Sequence, residues 1–171
     1  GQPDDVGHLH RAGSVGHEEP VGRIRQFEIT AAGYLMPGDG WDAAKNPSYL
    51  SFVAFELFRR FDTGHEQFWA DVIARHYALL AAAQNPTTGL VPNWTNEAGV
   101  AVDPGNGYPH DWSAFGYDAI RVPWRAAWAW QWFWQVPEHA AAHDVASRIC
   151  TFITTATGGD AQNIRAEYSI T

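Results

Sequence analysis

One cysteine, one methionine and one lysine are all that the 171 residues hold of those three types, and each scarcity closes off a class of protein. A lone Cys150 forms no internal disulfide and supplies no multi-cysteine metal site; it is expected to pack as a small hydrophobe. Lys45 is the only lysine and the net charge is −8, so the chain lacks the basic surface that tracks phosphates, and nucleic acid is not an expected partner. No apolar run approaches the roughly 18 to 20 residues of a membrane span, and no signal peptide is visible. His8 and His10, and again His139 and His143, are pairs without a third ligand at a fixed offset. They read as solvated side chains, and neither metal nor cofactor is expected.

Aromatic residues, by contrast, are plentiful: nine Trp, nine Phe and six Tyr, well above ordinary usage. More than half of them belong in a core, but flat apolar rings also suit the C–H faces of sugars. A neutral polymer therefore fits this composition better than a charged one. Many of the rings gather in Gly116–Trp134, together with an acid and two arginines. Asp118 and Arg121, three apart, share one face of a helical turn, and Arg125 follows on the same side. A neighbouring guanidinium favours the charged form of a carboxylate, the form needed to orient a water. Pro123 suits a first helical turn and places Asp118 at the electropositive helix start. Trp124, Trp128 and Trp132 recur every four residues, with Trp130 and Trp134 on the other side, so this helix is expected to be buried or to line a cleft.

In chain order, residues 1–26 mix glycine, histidine and arginine without periodicity and read as a disordered or unrelated tail. Phe27–Tyr34 fits a short strand or a helix end. Pro37-Gly38-Asp39-Gly40 is a turn that delivers Trp41 onto a loop. Asn46-Pro47 predicts a helix with Leu50, Val53, Leu57, Phe58 and Phe61 inward. Thr63-x-x-Glu66 is a capping-box pattern for a second, with Trp69, Val72, Ile73, His76, Leu80 and Ala83 inward, so that the pair forms a hairpin. His76 on that stripe reads as a core histidine. Residues 86–115 have loop composition, and their length suits a functional role. They carry Asn93, Trp94, Asp103, the neighbours His110 and Asp111 as a candidate orienting pair, and Trp112. Asn93-Trp94-Thr95 also matches a glycosylation sequon. A last helix is expected over about 138–155, with Ala142, Val145, Ile149 and Ile153 inward and Gly158-Gly159 as its stop. The class is all-α.

Three motifs in order carry a resemblance. Pro37-Gly38-Asp39-Gly40-Trp41 with Asn46-Pro47-Ser48-Tyr49, then Thr88-Gly89-Leu90-Val91-Pro92-Asn93-Trp94, then Tyr117-Asp118-Ala119-x-Arg121-x-x-Trp124-Arg125 are similar to the P-G-D-x-W…N-P-S-Y, T-G-L-x-P-D-W and Y-D-A-x-R-x-x-W-R segments of glycoside hydrolase family 8. Asn163–Ile170 resembles the family's G-N-I-x-x-x-Y-S. The resemblance runs from about Tyr34 to the end. It implies an (α/α)6 toroid of helical hairpins, of which this chain would be an apparently truncated part, and inverting hydrolysis of β-1,4-linked glycans such as cellulose, xylan oligomers or chitosan by a bacterial, secreted or periplasmic enzyme. By the same resemblance Asp118 is the general base, helped by Tyr117 and Arg121. Asp39, Trp41, Tyr49, Trp94, Trp112 and Trp124 would hold the oligo- or polysaccharide. Family members carry their acid as a Glu in a Glu-Gly motif, which this chain does not show, so a non-catalytic sugar-binding remnant stands as the alternative. An arc of a toroid leaves apolar edges uncovered, and self-association through them is expected.

Overall fold

The computed structural model describes residues 29–38, 41 and 43–171; the expectations for residues 1–26 and for Asp39 lie outside them. Helices α1 (Phe52–Phe61), α2 (Glu66–Ala83), α3 (Arg121–Phe133) and α4 (Ala140–Thr157) carry the fold, with single 3-10 turns at Pro47–Tyr49, Pro137–His139 and Ala161–Asn163. Short links fold α1 onto α2 and α3 onto α4, and the two hairpins meet chiefly through α1 and α3. No strand forms among the described residues, where extended segments pair only in isolated bridges such as Lys45 with Thr95 and Phe115 with Tyr168.

The first helix departs from its sequence pattern. Asn46 caps a 3-10 turn, its Oδ1 accepting the Ser48 N–H at 2.9 Å, and the chain then extends before α1 begins at Phe52. That break shifts the phase of the buried face, which consists of Phe52, Val53, Phe55 and Glu56. Leu57, Phe58 and Phe61, expected inward, are exposed. In α2 all six expected residues are buried. Its start is not a capping box: Glu66 reaches back to the Gly64 N–H at 3.0 Å while His65 precedes the helix. Asp62 in the link accepts the Trp69 indole N–H at 2.7 Å, which ties the hairpin turn to the core.

Helix α3 is also turned relative to expectation. It buries Val122, Ala126, Ala129 and Phe133, and small alanines let α4 approach closely. Trp124 and Trp132, and Trp134 just past the helix end, are exposed, while Trp128 and Trp130 are half-buried against the core. Trp124 stacks on Trp128 at 5.6 Å, and Trp128 meets Trp132 edge-on at 5.1 Å. Helix α4 buries Ala142, Val145, Ala146 and Ile149 and ends on Gly158 at φ 64, a left-handed stop suited to glycine. Cys150 lies one residue off that stripe and is exposed, not packed in the core.

A polar knot lies where the hairpins meet, and the sequence pattern did not reveal it. Glu56 is 0% exposed; its carboxylate accepts Arg60 Nε at 2.8 Å and Arg59 Nη2 at 3.0 Å. Burial alone would raise its pKa, but the two arginines outweigh it and hold the carboxyl below its usual range. His139 sits 3.5 Å from the same carboxylate and shares a 2.8 Å hydrogen bond with Tyr77. Far from solvated, it is fully buried, because the Pro137–His139 turn points it inward, away from the exposed His143.

His76 is the core histidine that its stripe implied. Nδ1 donates to the Val72 carbonyl at 2.7 Å and Nε2 accepts the Leu35 N–H at 3.0 Å, so the neutral ring holds the 29–35 turn onto α2. Burial, above all, lowers its pKa to about 4. The unfolded chain binds this proton near pH 6.5 and the folded chain does not, so the stabilisation is complete above about pH 6.5 and is lost as the pH falls toward 4. Urea midpoints read by tryptophan fluorescence should show stability declining across that window, with about 3 kcal/mol attributable to His76. His76→Gln should flatten the decline. A wild-type midpoint that is level or rises on acidification contradicts the assignment.

Candidate active site

The site is assembled by the long segment between α2 and α3. Asn85 starts it with an Asx turn, its Oδ1 accepting the Thr87 and Thr88 N–H groups at 2.9 Å each. Gly89 follows at φ 72, where a Cβ would lie 2.6 Å from Arg148 Cβ, so only glycine passes. Leu90 and Val91 are sunk in the core. From these anchors the chain runs past Asn93 and Trp94, whose N–H groups donate to the carbonyls of Ala114 at 2.8 Å and Trp112 at 3.1 Å. Thr95 pairs with Lys45 in both directions, at 2.6 and 2.9 Å, and so draws the Trp41 loop alongside.

Asn93 joins this wall to the helix start. Its Oδ1 accepts the N–H of Asp118 at 3.0 Å and of Ala119 at 2.8 Å, while its Nδ2 donates to the Asp111 carbonyl at 2.7 Å. Helix starts leave such N–H groups without intrahelical partners, and here a buried side chain satisfies two. Asn93 is fully buried, so the sequon is closed.

Asp118 is consequently held in one place, 4% exposed. Arg121 Nη2 donates to Oδ1 and the Tyr108 hydroxyl donates to Oδ2 at 2.7 Å. Arg121 also lies 5.9 Å over the Tyr49 ring, and Arg125 donates to the Tyr49 carbonyl at 3.3 Å. Burial, then the proximity of Arg121, lowers the pKa of Arg125. Beside the carboxylate stands an aromatic cluster. Trp41 stacks on Trp94 at 5.4 Å, Tyr108 stands edge-on to both at 6.1 and 5.7 Å, and Tyr49 meets Trp94 at 6.5 Å.

The structure thus brings Asp118, Arg121, Tyr49, Trp41 and Trp94 together and distributes the remaining expected residues differently. Trp94 is 3% exposed and backs Trp41 from behind; it presents no open face to a ligand. Tyr117 is exposed and stacks on His110 at 3.9 Å, away from the Asp118 oxygens that Tyr108 and Arg121 occupy. Trp112 is half-buried and joins the wall through its carbonyl. Trp124, 58% exposed, belongs to the outer tryptophan stripe of α3. His110 and Asp111 do not act as a pair: Asp111 turns to the Ser113 hydroxyl at 2.7 Å and the Ser113 N–H at 2.8 Å, bonds that lower its pKa. Tyr108 was missed because a tyrosine in an aperiodic loop carries no local signal. The neighbouring Gly105, Asn106 and Gly107, a turn signature, were the one cue.

Comparison with known proteins places the fold and the family. A cold-adapted family 8 xylanase has the same fold over 88% of this chain and 39% of its own, with a TM-score of 0.69 at 16% identity. Rex8A of Paenibacillus barcinonensis, solved with xylose, matches at a TM-score of 0.65 and 25% identity over 84% of this chain and 36% of its own. The sequence model of Glycosyl hydrolases family 8 matches residues 22–159, and the chain belongs to that family. Endoglucanase 2 of Ruminiclostridium josui is 39% identical over 95 residues, and Endoglucanase C of Ruminiclostridium cellulolyticum 38% over 95. This chain spans about a fifth of those relatives, 19% of each. The fold is therefore all-α, helical hairpins that correspond to part of the (α/α)6 toroid.

Asn93→Ala should strand two buried N–H donors and the Asp111 carbonyl, at a cost of about 3 kcal/mol. Asn93→Asp keeps the acceptor and loses the donor, so it should fall between that variant and the wild type. Chemical denaturation measures both, and a loss under about 1 kcal/mol for the alanine variant contradicts the role given to Asn93.

Proposed function

We propose that this chain provides the base-bearing wall of a β-1,4-glycan hydrolase that works with inversion. The observation that carries this reading is the placement of Asp118: a buried carboxylate at a helix start, held by Arg121 and Tyr108, directly beside the Trp41–Trp94 stack. Trp41 is half-buried, with Trp94 behind one face, so its other face suits a pyranose ring. In the proposed step Asp118 takes a proton from water as the water oxygen bonds to the anomeric carbon. The glycosidic C–O bond breaks, its electron pair stays on the leaving oxygen, and a second, protonated carboxyl group supplies the proton that oxygen needs. No described residue is assigned that second role. The relatives' names, endoglucanases and xylanases, support cellulose-type or xylan-type substrates, and a polymer of this kind implies a secreted or periplasmic setting.

The lack of a second carboxyl group bonded into the described site favours one other reading, a sugar-binding chain without turnover. Two substitutions separate the readings. In a full-length parent that also carries the second carboxyl group, Asp118→Asn should reduce release of reducing sugar by about 10²-fold or more while oligosaccharide affinity holds; turnover within tenfold of that parent refutes the assigned base. Trp41→Ala should weaken binding of cello- or xylo-oligosaccharides by about 1 to 3 kcal/mol, the range of stacking on an aromatic platform. Affinity in the wild type with no turnover under any condition assigns the sugar-binding reading.

The exposed Leu57, Phe58 and Phe61 of α1 and the exposed Trp124, Trp132 and Trp134 support a further part of the proposal, self-association. Sedimentation should show mass rising with concentration, and a strict monomer at all concentrations rejects it.

A further inference from the structure

Tyr108 sits at the centre of the site although it belongs to none of the recognised motifs. Its hydroxyl donates to Asp118 Oδ2 at 2.7 Å, and its ring stands edge-on to Trp41 at 6.1 Å, Trp94 at 5.7 Å and His110 at 5.6 Å. The turn that delivers it is left-handed throughout. Gly105, Asn106 and Gly107 are all left-handed, at φ 78, 53 and 69, and the turn closes when the Tyr108 N–H donates to the Gly105 carbonyl at 3.1 Å. Asn106 is the non-glycine residue with positive φ among those described, a conformation tolerated where the surroundings require it. What this turn accomplishes is to aim a phenol at a buried carboxylate.

We propose that Tyr108 is a positioning residue: it fixes Oδ2 of Asp118 while Arg121 fixes Oδ1, and it links that carboxylate to the ring platform on which a sugar stacks. Two different donors on the two oxygens set the plane of the carboxylate and leave the remaining lone pairs pointing in defined directions, the requirement for orienting one water. The other charged and titratable groups near this pair are His110, stacked on Tyr117, and Arg125 with Tyr49 beyond Arg121. The proposal rests on the reading of Asp118 as the base, and burial, followed by the hydrogen bond and charge of Asp118, holds the Tyr108 phenol well above the usual tyrosine range.

The test uses the whole chain with carbon-13-labelled tyrosine rings, the Tyr108 resonance being identified by its loss in Tyr108→Phe. In wild type this phenol should remain un-ionised where exposed tyrosines titrate, and Asp118→Asn should move its titration to lower pH. A titration indifferent to Asp118→Asn overturns the contact. In parallel, in a full-length parent that carries the second carboxyl group, Tyr108→Phe keeps the ring wall and should lower turnover roughly tenfold or more with oligosaccharide affinity within about threefold. Tyr108→Ala should lose affinity as well. Unchanged turnover in Tyr108→Phe overturns the positioning role. If that parent neither binds nor cleaves any β-1,4-oligosaccharide, the function proposed above fails by itself, and the labelled-tyrosine arm still decides whether Tyr108 holds Asp118.

Discussion

The arrangement of this molecule depends on one side-chain amide. A helix that starts under a loop has N–H groups to satisfy and no water to satisfy them, and Asn93 meets that need at the start of α3 by accepting from Asp118 and Ala119 while donating to Asp111. The three bonds set the distance between the wall that carries Trp94 and the helix that carries Asp118. Tyr108, further along the same loop, then reaches the carboxylate, and Trp41 reaches Trp94 because Lys45 and Thr95 pair their backbones. An amide serves here as no carboxylate could. An Asp at this position would turn an oxygen toward the Asp111 carbonyl in place of the N–H that now lies 2.7 Å from it.

Beneath the site, the hairpins are held in register by a different device. Glu56, Arg59, Arg60, His139 and Tyr77 form a polar knot between α1, α2 and the turn before α4. Buried charges of this kind are weak evidence for stability, but removing one partner leaves another unpaired. The alanines of α3 complete the packing of the hairpins by allowing close approach, with Trp124 and Trp132 left exposed.

Legibility followed the range of the interactions. The buried stripe of α2, the glycine stop of α4 and the helix start near Pro123 were readable, because each is decided by residues within a turn or two. The family motifs placed Asp118, Arg121, Tyr49 and Trp41 in one region, and the structure has them there. What failed was decided at a distance. Leu50 and Ser51 interrupt the first helix and rotate its face, so Leu57, Phe58 and Phe61 point outward. His139 was read with His143 because the spacing suited a helix, but Pro137 makes that residue part of a 3-10 turn. Trp124 and Trp94 look alike in sequence, and only the tertiary fold exposes the first and buries the second. Tyr108 was invisible because its partner Asp118 lies at the start of another element, and Glu56 because its burial, unlike its pairing with Arg59 and Arg60 on the same helix, is decided by other elements.

The role proposed for Asp118, in a longer chain that also supplies the second carboxyl group, is to direct water at a sugar from the face opposite the departing oxygen. Proton NMR of the sugars first released from a β-1,4-linked oligosaccharide reads this directly, since inversion and retention give opposite anomers before mutarotation mixes them. The account predicts that the α-anomer appears first at the new reducing end. Initial appearance of the β-anomer would contradict it, because the reaction would then proceed through a covalent intermediate that a water-orienting carboxylate does not form.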